Sequence, residues 1–362
     1  MTNQIPRYRE DVLTKFFDYI RSGESFFVTG APSAGKTRLM DFLMGDNQKP
    51  DRDGQVVTSA QVKKHYLGEP LASKILLARV DMNRLRSDND WGFGFFELLL
   101  NTILFAFRRL EPTEDIAKII DTVAELDSEV IESKDDLKAH RLFEYAVDMI
   151  CKTYGFRICF LLDEFDETYQ TMPRELFAHL RAVRDTNKYG VSYILFLRNT
   201  PDKLRPPTDN ESFYELISRY SLGLGPFSRE DAYDVIEQIG GRQKVILTPE
   251  LKEGIYRLSG GHPGFIQALL KIVKDHQPSA RPFADIEWYA KHDPVEEEFR
   301  KIWIGLLEEE RKGFLAFVHG STPPMSKDTG KLLLTKGLLV PEARQNSVTI
   351  FSPLFQYWIS KQ

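Results

Sequence analysis

The chain has 362 residues, of which 42% are apolar, and a formal net charge of -5. That apolar content excludes a disordered chain and is enough for the cores of about two or three domains. The mild acidity excludes a general attraction to nucleic acid or to an anionic membrane and leaves only a local basic patch open.

In chain order, the N-terminus (Met1 to Arg7) is polar in character and carries no signal-peptide pattern, so a cytoplasmic protein is expected. Apolar residues at Val12, Leu13, Phe16, Phe17 and Ile20 have helical spacing. Ser25–Thr29 reads as a strand, followed by a glycine-bounded loop and a helix to about Met44. Residues 45–73 show little periodicity, with a short strand expected at Gln55–Ser59 in an insertion or loop. Lys74–Asp81 reads as a buried strand, Trp91–Arg109 and Asp135–Tyr154 as long helices, and Thr113–Leu126 as a weaker one. Phe93–Phe107 is interrupted by Glu97, Asn101 and Thr102, too short and polar to span a bilayer. Phe156–Leu162 and Val191–Leu197 are further strands, with a helix from Pro173 to about Asn187 between them and a last strand at Tyr220–Leu224. The two cysteines, Cys151 and Cys159, make no disulfide framework. Strands alternating with helices predict an α/β fold with a parallel sheet flanked by helices.

After the Pro201–Pro207 break the pattern turns helical, at Ser228–Ile239, Pro249–Leu258 and Pro263–Lys274. Beyond a second break at Gln277–Pro282 come three short helices, Val295–Leu307, Glu310–Val318 and Asp328–Thr335. Two strands follow, Gly337–Val340 and Ser347–Phe351, around a polar tip with Arg344. Three helices and a two-stranded wing describe a winged helix. The expected organisation is a core over 1–204, with an adenine-side segment at 1–24. The sheet edge and a helical lid follow over 205–284, and a winged helix over 285–362.

Three motifs carry chemistry. Gly30-Ala31-Pro32-Ser33-Ala34-Gly35-Lys36-Thr37 reads G-x-x-x-x-G-K-T between a strand and a helix that continues with Arg38. Backbone N–H groups in such a loop and at the helix start cradle phosphates; Lys36 reaches the outer phosphates and Thr37 holds Mg²⁺. Leu161-Leu162-Asp163-Glu164 closes an apolar strand with two acids. Asp163 there can hold Mg²⁺ through its water shell, and Glu164 can orient or deprotonate an attacking water. The bland alternative is a solvated acidic loop, since Asp166 and Glu167 follow, but of the four acids Asp163 and Glu164 directly follow the strand. The next strand ends in Arg198-Asn199-Thr200, where Arg198 can stabilise transition-state charge and Asn199 can position the water.

With these motifs in place the whole chain resembles the ASCE division of P-loop NTPases, in its AAA+/STAND region. The resemblance also rests on Arg7-Tyr8-Arg9-Glu10, on Arg219 in Ser218-Arg219-Tyr220, and on Gly260-Gly261-His262-Pro263. It implies a P-loop NTPase core, an α-helical lid and a winged helix around ATP and Mg²⁺. It implies Arg9 beside the adenine, Pro263 packed on the base from the lid, and Arg219 acting on a neighbour's ATP. The lid shows no clear second-sensor arginine, which favours slow hydrolysis.

The expected function is a nucleotide-dependent conformational or assembly switch that self-associates or engages a protein partner, by analogy in defence or mobile-element control. The alternative is a DNA-binding ATPase of initiator or transposition-regulator type. Its readers would be Lys331, Lys336 and Arg344, set beside the acidic runs Glu296–Glu298 and Glu308–Glu310. No membrane partner is expected.

Overall fold

The computed structural model describes residues 7–46, 57–85, 91–276, 283–320, 324–342 and 347–362. Helix α1 spans Glu10–Arg21, strand β1 Phe26–Thr29, helix α2 Lys36–Met44 and helix α3 Ser59–Leu67. The expected strand at 55–59 is overturned in its described part. Thr58 caps α3 by accepting the Gln61 N–H, and the Gln61 side chain answers the Thr58 N–H. That reciprocal box starts a helix; Gln55 and Val56 lie outside the described residues. Next come α4 (Leu71–Lys74), β2 (Ile75–Asp81), α5 (Phe93–Arg108), α6 (Glu114–Ser133) and α7 (Asp136–Asp148). Helix α6 runs on to Ser133, well past the expected Leu126, because Val130 continues its buried stripe.

Strand β3 (Arg157–Asp163) leads into α8 (Asp166–Thr171), a short helix on which Thr168 and Tyr169 turn inward. The chain continues through α9 (Arg174–Thr186), β4 (Val191–Leu197), α10 (Pro201–Leu204), α11 (Glu211–Ser218) and β5 (Ser221–Gly223). The proline-rich break thus holds short helices, Pro201 serving as a first helical residue.

The five strands form one sheet in the order β2-β3-β4-β1-β5, with β3 parallel to both β2 and β4. Every residue of β1 and β4 is buried, as in a sheet covered on both faces. The core joins β2, β3 and β4 to α5 through Phe95, Phe96 and Phe107, and to α7 through Phe143.

The remaining elements are α12 (Arg229–Gln243), α13 (Pro249–Ser259), α14 (Pro263–His276), α15 (Ile286–Ala290), α16 (Asp293–Ile304), α17 (Glu308–His319), α18 (Lys327–Thr335), the antiparallel hairpin of β6 (Leu339–Pro341) and β7 (Val348–Ile350), and α19 (Pro353–Ile359). Side chains cap several of these helices, with Ser228 accepting the Asp231 N–H and Thr248 the Leu251 N–H. Phe265, Phe299, Phe351, Phe355 and Trp358 stack into one aromatic core.

By contacts the chain forms two compact units. One holds residues 13–28 and 37–222; the other holds 7–12, 29–36 and 223–362. Both cysteines are free, and among the described residues no helix is long and apolar enough to cross a membrane.

One expected DNA reader is corrected. Lys336 is buried and donates to Glu310 at 2.6 Å, and Glu310 also accepts the Leu307 N–H. Both side chains are almost wholly enclosed, so Lys336 is spent inside the protein. Arg344 lies outside the described residues. Removing one partner of a buried pair strands the other charge, at about 3–5 kcal/mol. Lys336→Met should therefore lower the stability measured by urea unfolding by about that amount. Adding Glu310→Gln, which keeps the cap, should restore most of it.

Candidate functional site

In the second unit the loop after β1 has the backbone that its glycines predict. Gly35 has φ +92°, a left-handed conformation that glycine adopts without strain, and Ser33 has φ +58°. Gly30 is needed for close approach: a Cβ there would lie 2.8 Å from the Leu224 carbonyl oxygen. The Ala34 N–H donates to the Ala31 carbonyl and closes the turn. Lys36, the first residue of α2, donates to the carbonyls of Gly30 at 2.6 Å and Ala31 at 3.2 Å. No acid occupies the first turn of α2, so the positive end of its dipole is unopposed there. A lysine, an acid-free helix start and a left-handed glycine turn suit a phosphate group.

The same unit brings Arg9, the loop, Phe227 and Pro263 together. Arg9 is buried at φ +44° and donates to the carbonyls of Gly225 at 2.7 Å and Ala34 at 2.8 Å. Its guanidinium stands 4.2 Å from the centre of the Phe227 ring, and burial lowers its pKa. A Cβ on Gly35 would sit 3.6 Å from Pro263. On another side of the loop, a Cβ on Gly305 would come 2.4 Å from Pro32. A Cβ on Gly264 would meet both Glu298 and Ser33. Elements from α16 to Gly305 therefore pack directly on the loop after β1.

His262 lies just before Pro263, fully enclosed, with its ring beside the backbone of Pro32. Burial drives its pKa down to about 3, with Arg9 and Lys36 adding repulsion. It is neutral at physiological pH, which suits a packing residue between Phe265 and Phe351.

In the first unit, Asp163 ends β3 and is buried, while Glu164 is exposed at φ +47°. A left-handed glutamate is strained, and such strain gathers at functional sites. Two β2-side residues hold these acids, and sequence reasoning missed both. Arg79 donates to Asp163 at 2.7 Å and to Asp41 at 2.9 Å. Asn83 donates to Glu164 at 3.4 Å. Burial raises the Asp163 pKa and Arg79 draws it back part of the way. Arg79 is itself held above its usual range, the two carboxylates outweighing the cost of its burial. The donors fit magnesium: the Thr37 hydroxyl and the Asp163 carboxylate are hard oxygen ligands. Asp166 is a strut, its carboxylate accepting the N–H groups of Arg198 at 2.9 Å and Asn199 at 3.1 Å. It fixes the backbone from which those two side chains extend. Arg219 stands exposed at the C-terminal end of α11.

No protein-family model matches the sequence, and no curated protein matches it. Solved structures do match. A Walker-type ATPase of Pyrococcus abyssi aligns over 98% of this chain and 95% of its own, at 12% identity and a TM-score of 0.51. The chain has the fold of a Walker-type P-loop ATPase. The ORC2 protein of Aeropyrum pernix in its ADP form aligns over 100% of this chain and 95% of its own, at 13% identity and TM-score 0.48. A STAND protein of Pyrococcus horikoshii with a tetratricopeptide repeat sensor covers 99% of this chain and 42% of its own, at 13% identity and TM-score 0.36. On the Pyrococcus abyssi match and the sheet topology, the expected P-loop core with helical additions holds at the level of fold.

The buried histidine gives this ATPase fold a pH signature. The His262 pKa lies below its unfolded value, so the unfolded chain binds the extra proton below about pH 6.5. Stability is then lost as pH falls, by about 2 kcal/mol at pH 5 from this group alone. Urea unfolding of wild type and His262→Asn at neutral and acid pH measures it. The wild type should lose more on acidification than the variant.

Proposed function

We propose that this chain is an ATP-binding, slowly hydrolysing regulatory ATPase, a nucleotide-dependent switch acting on a protein partner or on further copies of itself. The observation that carries this is the glycine-bounded turn with Lys36 at the acid-free start of α2. Lys36 and the loop N–H groups from Gly30 to Thr37 bind the phosphates, with Arg38 next on the helix. Arg9 and Pro263 flank the base. Thr37 and Asp163 hold Mg²⁺, which when bound neutralises phosphate charge. Glu164 orients the attacking water and accepts its proton. Arg198, Asn199 and Arg219 are the candidates for meeting the outer phosphate.

The switch reading rests on what covers the loop. Glu298 of α16 is buried beside Ser33 and Gly264, with one oxygen paired to Lys301 at 2.9 Å and the other unpaired. A buried carboxylate there disfavours added negative charge, so polyphosphate at the loop biases the position of α16. A ligand moves such an equilibrium only through different contacts in its two states. We read 285–362, with α16–α18 and the β6–β7 hairpin, as a winged helix on that segment, 205–284 as sheet edge and lid, and 1–204 as the core. Burial of Lys336 against Glu310 removes one of the basic residues that a DNA-reading surface would need, which favours a protein-facing role.

The proposal assigns the chemical step to Glu164, so Glu164→Gln should cut ATP turnover by about 100-fold or more while ATP affinity stays near wild type. Turnover assayed as phosphate release, with binding followed in parallel, decides it; unchanged turnover would remove Glu164 from this role.

A further inference from the structure

We infer that Arg79 is a resident cation of the metal-side acids, one that lets the protein hold ATP with little help from a divalent ion. The inference rests on the ATP reading above and goes beyond it. Arg79 is the single charged residue within the apolar run Ile75–Val80 of β2 and stands in register with Leu161 of β3. Its guanidinium forks between two carboxylates, Nη1 on Asp41 at 2.9 Å and Nη2 on Asp163 at 2.7 Å. Asp41 follows Thr37 by four residues on α2, so the two share a helix face. The arginine therefore joins the metal-side strand end to the helix that carries the candidate metal hydroxyl. Asp163 is 10% exposed and Arg79 26%, so solvent screens the pair incompletely.

The charge count gives the consequence. Asp41, Asp163 and Arg79 together carry a net charge of -1; without Arg79 the same place carries -2. A nucleotide triphosphate brings several more negative charges. Without a resident cation, a bound magnesium ion would have to offset both the phosphates and the acid that holds it. Here a guanidinium, planar, permanently charged and matched to carboxylate geometry, already offsets the acids. Arg79 acts as a positioning residue: it sets the Asp163 carboxylate and lowers the repulsion that an arriving anion meets.

The test is the ratio of ATP dissociation constants in excess EDTA and in saturating magnesium, measured on the full chain with a fluorescent ATP analogue. The wild-type ratio should be small. Arg79→Met should raise it by about tenfold or more, since a unit charge a few ångströms from a partly buried anion carries at least that weight. Arg79→Lys, which keeps the charge, should stay close to wild type. Asp41→Asn with Arg79 intact should lower the ratio, and Arg79→Met combined with Asp41→Asn should return toward wild type. A purely structural ion pair would shift melting temperature across these variants and leave the ratio constant, and a constant ratio overturns the inference. If Arg79→Met does not fold, Asp41→Asn decides alone: a ratio at or above wild type overturns it. Failure of the wild type to bind the analogue under either condition would instead sink the ATP reading on which this rests.

Discussion

Uncompensated charge is what each half of this protein is built to avoid. Lys36 stands at the mouth of an acid-free helix start and turns its ammonium onto two loop carbonyls. Asp163 is met by Arg79, Glu164 by Asn83, and Asp166 by two backbone N–H groups. A buried charge costs several kcal/mol unless it is paired, so the contact of Arg79 with buried Asp163 supports the fold. The pattern has a functional reading. The groups that the proposal assigns to phosphate and metal are held in this way, carbonyl for ammonium and guanidinium for carboxylate.

Packing around the loop extends this logic. Pro32 and Ser33 sit against elements that come more than two hundred residues further along the chain, including Glu298 of α16. The neutral, buried His262 and the cation–π pair of Arg9 with Phe227 fill the space beside Pro263. These close approaches are what the proposed switch rests on: an anion bound at the loop would meet the buried Glu298 carboxylate.

Much of this was legible in the sequence. The apolar runs at Phe26–Val28, Ile158–Leu162 and Val191–Leu197 leave no alternative to buried strands, and the Gly-Lys-Thr turn has few other uses. Less was legible where local signals were weak or were read as loop. Helix α3 has one apolar turn, and its start is marked only by Thr58 and Gln61, a capping box available to the reading but not used. Helix α8 begins among acids and shows its buried face only through Thr168 and Tyr169. The roles of Arg79 and Asn83 were hidden for a different reason. Asp163 and Glu164 lie more than eighty residues from them, and only the pairing of β2 with β3 brings them together. The available hint was a lone charge inside an apolar strand. Lys336 misled in the opposite direction, since a lysine at a helix end reads as exposed until Glu310 is placed beside it.

The central claim is that the turn between β1 and α2 binds the phosphates of ATP through Lys36. Isothermal titration of the full chain with Mg·ATP, alongside Lys36→Ala, tests it most directly. The account predicts saturable heat for about one site per chain in the wild type and its loss in the variant. Equal binding by both proteins, or no saturable heat from the wild type, would contradict it.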